Sequence, residues 1–223
     1  MLSMKSFISE YDRMKGCSSD QELENWLVSQ CENALKEFPE EQRIVSSMYN
    51  ELGSFYRHHG MFEKGEEAFL KATTIWGPLE KDIDYATIIN NQAGNYRLMG
   101  KYNEAVSLFQ EAIELYQKYP ETPRALASSA YNNLALVYLD TGRFQEAADM
   151  LQLSYEVLAD TPDCYYEKAT AYANMAIAYY KNGDMETAAE KLQIAEELYR
   201  SGGLEDSPEF QSFLKLKEFL VKK

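Results

Sequence analysis

"NNQAGNYRLMGKYNEAVSLFQEAIELY" runs from Asn90 to Tyr116, and "NNLALVYLDTGRFQEAADMLQLSYEVL" runs from Asn132 to Leu158, so one chain writes nearly the same line twice. Aligned on the glycine of "MGKY" and "TGRF", the two lines find two further copies centred on "HGMF" and "NGDM". The four glycines are Gly60, Gly100, Gly142 and Gly183, at spacings of 40, 42 and 41 residues. Each position can then be numbered from its own glycine. Column −4 is always tyrosine: Tyr56, Tyr96, Tyr138 and Tyr179. Column −7 is tiny: Gly53, Ala93, Ala135 and Ala176. Column +2 is Phe62, Tyr102, Phe144 and Met185, column +5 is Gly65, Ala105, Ala147 and Ala188, and column +9 is Phe69, Phe109, Leu151 and Leu192. Self-similarity at a period in this range is the signature of a stacked array.

Each copy reads as a helical hairpin. Columns −11, −8, −7 and −4 share one face of a 3.6-residue helix, and the apolar columns after the glycine do the same for a second helix. The glycine supplies the left-handed corner that ends the first helix. Small residues at −7 and +5 let the two helices approach closely where they cross. A single hairpin cannot bury both of its faces, so neighbours must stack.

The columns resemble the tetratricopeptide repeat, and "ELGSFYRHHGMFEKGEEAFLKA" from Glu51 to Ala72 is close to its pattern. The period of 40 to 42, longer than the usual ~34, is similar to the long-helix variety of kinesin light chains and of bacterial receptors for signalling peptides. The resemblance implies an all-α, right-handed superhelix of about four full repeats over residues 45–200. Residues 1–39 read as a degenerate leading repeat and 207–222 as a C-terminal capping helix, all in a single domain spanning 1–223. In the leading segment, residues 2–15 are expected to be helical, and Ser19 with Glu22 forms a capping box opening a helix to about Phe38. Ser207-Pro208 starts the last helix, with Phe210, Phe213, Leu214, Leu216, Phe219 and Leu220 as its apolar side. Loops are marked by "GPLEKD" at 77–82, "YPETP" at 119–123 and "DTPD" at 160–163.

Composition narrows the function. The formal charge of −14 disfavours nucleic acid and anionic membrane surfaces, both of which select basic faces. Three cysteines at irregular spacing make neither a disulfide framework nor a CxxC metal site. The N-terminal stretch lacks the apolar run of a signal peptide, and nothing approaches the ~18 apolar residues of a membrane span, so a cytoplasmic location is expected. His58 and His59 are the two histidines of the chain; being adjacent on a helix end they point apart and make a shared metal improbable. With no phosphate-binding glycine loop, nucleophile elbow or metalloprotease helix, the sequence points to a non-enzymatic protein without cofactor or metal.

The candidate site is the side of each first helix opposite the core stripe, which lines the concave groove in the resembled family. Column −9 reads Glu51, Asn91, Asn133 and Asn174, and column −10 reads Asn50, Asn90, Asn132 and Ala173. An asparagine amide offers a donor and an acceptor, matching what an extended peptide backbone presents, and asparagines at such positions hold main chain in relatives that grip peptides. The alternative is that these amides stitch adjacent helices together. Column −3 is Arg57, Arg97, Leu139 and Tyr180, and column −6 adds Leu136 and Ile177 in the later repeats. An open groove would therefore take a segment with a carboxylate at one end and apolar side chains at the other. The apolar residues could instead be covered by the C-terminal helix or by a second copy of the chain, since exposed apolar patches usually have partners. The leading reading is an adaptor for a protein or extended peptide; the alternatives are a regulatory receptor for a short signalling peptide and a self-assembling homodimeric scaffold.

Overall fold

The computed structural model describes residues 3–77 and 79–221. Leu2 of the expected first helix, Pro78 of the 77–82 loop and Lys222 of the expected cap lie outside those residues. Among the described residues there are eleven helices and no strand. They are α1 (Met4–Cys17), α2 (Asp20–Glu37), α3 (Gln42–His58), α4 (Phe62–Trp76), α5 (Ile83–Leu98), α6 (Tyr102–Lys118), α7 (Arg124–Asp140), α8 (Phe144–Leu158), α9 (Tyr165–Lys181), α10 (Met185–Ser201) and α11 (Pro208–Val221). The helices gather into two compact units, Met1–Leu115 and Tyr116–Lys223, with the boundary inside α6.

The corner chemistry is repeated faithfully. Gly60, Gly100, Gly142 and Gly183 all have φ between 72° and 88°, a left-handed conformation that a Cβ disfavours. At each corner the column −4 tyrosine carbonyl accepts from the N–H just after the glycine, as in Met61 N to Tyr56 O at 2.9 Å and Arg143 N to Tyr138 O at 2.8 Å. The glycine N–H returns to the column −3 carbonyl, as in Gly100 N to Arg97 O at 3.0 Å. These two bonds define the Schellman ending, which satisfies carbonyls that the helix leaves orphaned. A fifth copy closes α10 through Gly203, whose φ is 65°, with Leu204 N to Tyr199 O at 3.0 Å.

In the first unit α3 packs on α4, α4 on α5 and α3 on α5, while α2 and α1 cover α3. The column +9 ring of Phe69 is fully buried and lies where a side chain on Gly53 would go, with its ring atoms 2.8 Å from an ideal Cβ there. Gly65 has a similar cause: the Asn95 Oδ1 lies 2.9 Å from its would-be Cβ, and Asn95 Nδ2 donates to the Phe62 carbonyl at 2.9 Å. Both departures from alanine in the small columns thus accommodate a neighbour. The leading pair is held by its capping box, with Ser19 N donating to Glu22 Oε2 at 2.9 Å and Glu22 N to Ser19 Oγ at 3.3 Å. Phe7 and Tyr11 of α1 stack on Trp26 of α2.

In the second unit α7 packs on α8, α8 and α7 on α9, α9 on α10 and α10 on α11. Ala135, Ala147, Leu151 and Ala176 are fully buried, as their columns require. Inside the α7/α8 hairpin, Ser154 Oγ donates to the Ser128 carbonyl at 3.0 Å in a buried setting. The terminal helix starts as its sequence dictates, with Phe210 N donating to Ser207 Oγ at 3.1 Å. Phe210, Phe213 and Leu220 are buried, the first two against Tyr199, whereas Phe219 stays exposed. No described helix is long and apolar enough to cross a membrane.

Candidate peptide-binding faces

In the first unit the candidate residues lie on α3 and α5. Asn91 Nδ2 donates to Asn50 Oδ1 at 3.0 Å, and Asn50 Nδ2 reaches Glu51 Oε1 at 3.5 Å. Column −9 of one repeat is thereby tied to column −10 of the repeat before. Asn50 and Asn90 are buried, and Asn90 Oδ1 has no hydrogen-bond partner among the described residues. Asn91 is partly exposed, and one N–H of its amide is committed to Asn50. Glu51, which replaces asparagine in the first repeat, has its pKa raised by burial, with Lys15 of α1 opposing the shift.

Arg57 forms the most unusual feature of this face. Its Nη1 donates to the Asn91 main-chain carbonyl at 3.3 Å, and no carboxylate is paired with it among the described residues. Burial lowers its pKa, which is the mark of a cation held without a counter-charge. The neighbouring His58 is also lowered, first by burial and then by the charge of Arg57. Space for the guanidinium comes from Gly94, whose ideal Cβ would lie 2.6 Å from Nη1. Column −6 is otherwise Ser54, Leu136 and Ile177, so a glycine inside α5 was a signal in the sequence, although its cause was not. Arg97, in the same column as Arg57, is partly exposed.

The crowding at Gly94 involves the free end of a flexible side chain, and glycine in a helix interior costs about 0.5–1 kcal/mol relative to alanine. Gly94→Ala is therefore expected to leave the melting temperature unchanged or raised while displacing the Arg57 guanidinium. Thermal melts together with the Arg57 Nε–Hε NMR resonance check this.

In the second unit the same register recurs. Asn174 Nδ2 donates to Asn132 Oδ1 at 2.9 Å, again from column −9 to column −10 of the preceding repeat. Asn132, Asn133, Asn174 and Leu136 are partly exposed, whereas Leu139 is buried. Ile177 and Tyr180 are partly buried and pack against the cluster formed by residues of α9, α10 and α11, among them Ala173, Ala176, Leu192, Phe210 and Phe213.

His59 Nδ1 lies 2.8 Å from the Phe55 carbonyl, and its ring is 4.1 Å from that of Phe55. Among the described residues no group of three or more His, Cys, Asp or Glu is placed to hold a metal. Cys31 is fully buried, and burial pushes its thiol up to about 12, far from a reactive thiolate.

Helical hairpins of one period, closed by identical glycine corners and stacked through matching columns, define a helical-repeat protein. The sequence profile of the tetratricopeptide repeat matches residues 44–118 and 126–201, and the chain belongs to that family. Its fold is similar to that of BtubC (BKLC) from P. vanneervenii, at 20% identity and a TM-score of 0.77, with 86% of this chain and 77% of that one covered. It is also similar to a kinesin light chain protein of nearly identical TPR-like repeats from Podosopora anserina, at 20% identity and a TM-score of 0.73, with 90% and 98% covered. A third likeness is to the Rap conjugation gene regulator of the plasmid pLS20 in complex with the Phr* peptide, at 16% identity and a TM-score of 0.66. That match covers 80% of this chain and 48% of the regulator, so the chain spans about half of the Rap protein's length.

Proposed function

We propose that this chain is a non-catalytic adaptor that binds an extended peptide segment of a protein partner through the first-helix faces of its repeats. The observation that carries this reading is Arg57, a half-buried guanidinium that hydrogen-bonds a main-chain carbonyl and has no carboxylate partner among the described residues. A desolvated cation without a counter-charge destabilises the fold, so its retention is accounted for by an acidic group that a ligand brings. The Asn50–Asn91 and Asn132–Asn174 pairs fix the amide planes beside that face and leave Asn91 and Asn174 further hydrogen-bonding capacity for peptide main chain. Within the second unit, Leu136 and the partly exposed Ile177 and Tyr180 form a separate apolar candidate face. The bound segment carries a carboxylate for Arg57, while the net charge of −14 favours a partner that is otherwise neutral or basic.

The test is a pull-down from native cell extract with wild-type chain beside an Asn91→Ala/Asn133→Ala double variant, read by mass spectrometry of proteins and short peptides. The expected result is a partner lost in the variant, with a stability decrease of about 1–3 kcal/mol because Asn50 Oδ1 loses its donor. Equal capture by both proteins would mean that the amides serve only to join helices. Recovery of a short free peptide instead of a protein would favour the signalling-peptide receptor, and a dimer in light scattering would favour self-assembly.

A further inference from the structure

On the second-helix side of the first unit, opposite charges pair from one repeat to the next. Lys64 Nζ lies 2.7 Å from Glu24 Oε1, and Lys101 Nζ lies 2.7 Å from Glu66 Oε1. The first-helix face of α3 differs. Glu51 and Arg57 are both partly exposed there, and among the described residues neither is in an ion pair. Burial acts on both against the charged form, raising the Glu51 carboxyl and lowering the Arg57 guanidinium.

Geometry keeps the two from compensating each other. They stand at columns −9 and −3, six residues apart with Ser54 midway, which is ~9 Å along the helix and about a third of a turn round it. Neutral groups join them in series. Arg57 Nη1 donates to the Asn91 carbonyl at 3.3 Å, Asn91 Nδ2 to Asn50 Oδ1 at 3.0 Å, and Asn50 Nδ2 to Glu51 Oε1 at 3.5 Å. These bonds fix positions and cancel neither charge. At the edge of the face nearer α1, Lys15 and Asp12 act on Glu51 in opposite directions, and Lys15 Nζ lies 4.1 Å from the ring centroid of the buried Tyr11. At the other edge Arg57 meets α5 through Asn91, and the charges it shares with Lys15 hold His58 down.

Building on the peptide-binding reading of this face, we propose that the docking segment carries a basic side chain for Glu51 beside the carboxylate for Arg57, so that the first repeat selects a pair of opposite charges. A segment with an acidic group alone would leave Glu51 uncompensated, and one with a basic group alone would leave Arg57 so. An extended chain covers ~9 Å in about three residues at ~3.3 Å each. With the turn round the helix added, the two side chains stand within about five residues of each other. Charge complementarity of this kind sets register more than affinity, and it places the basic end toward α1 and the acidic end toward α5.

The test is selection of a degenerate dodecapeptide library, N-acetylated and C-amidated so that every selected charge is a side chain, on the immobilised full chain at about 0.15 M salt. The retained pool is sequenced by mass spectrometry. Peptides holding an acidic and a basic residue within about five positions are expected to be enriched at least threefold over the input. Glu51→Gln should lose the basic preference and keep the acidic one, and Arg57→Met the reverse. Glu63→Gln, at an exposed position on α4, should select as wild type does and so excludes a general pull of the acidic chain on basic peptides. Enrichment of acidic residues alone, or a basic preference that survives Glu51→Gln, would overturn the charge pair and leave the peptide-binding reading standing. Retention of no peptide above the bare resin would overturn both.

Discussion

Phe69→Ala should lower the unfolding free energy by about 3–5 kcal/mol, while Leu70→Ala, one residue on, should change it by less than about 0.5 kcal/mol. Phe69 is fully buried at column +9, and Leu70 is 45% exposed. The difference between them is set by Gly53 across the hairpin. With the Phe69 ring 2.8 Å from where a Cβ would begin, Gly53 has no side chain that could fill the space left by truncation. A cavity that cannot collapse keeps its full cost. Denaturant melts followed by helical circular dichroism check the pair, and comparable losses for both would contradict the assignment of these columns to core and surface.

The second large effect is on binding. Arg57→Met should weaken capture of the partner at least tenfold, or about 1.4 kcal/mol, without lowering the melting temperature. Removing the guanidinium abolishes its hydrogen bond to the Asn91 carbonyl, but it also removes a desolvated charge that has no carboxylate among the described residues. Replacing such a group by an apolar one of similar length is commonly neutral or stabilising. A residue kept for architecture would behave in the opposite way, with stability falling and binding intact. Calorimetric titration of the captured partner, run beside thermal melts of both proteins, separates the two.

Much of the architecture was legible because it depends on local rules that repeat. Glycine at four corners, tyrosine four residues earlier and small residues at −7 and +5 each state a backbone or close-packing requirement, and a stacked array must meet those requirements in every copy. The closing of α10 by Gly203 follows the same rule outside the aligned columns. The candidate face was legible only as a set of positions. Which amide pairs with which depends on the register between neighbouring helices, and a wheel of one helix does not contain it. The same limit hid the fit of Arg57 against Gly94, residues on different helices joined by one missing Cβ. Lys15 of α1 acts on Glu51 across the leading repeat, and Ile177 and Tyr180 pack on a cluster drawn from three helices, which a wheel of α9 does not contain.

The most direct test of the central claim is where a partner touches the first unit. A photo-crosslinking amino acid placed at Ser54, on the first-helix face of α3, should join covalently to the captured partner, and the same group at the exposed Leu70 of α4 should not. Adducts from position 70 and none from position 54 would contradict the account and place the working surface on the second helices.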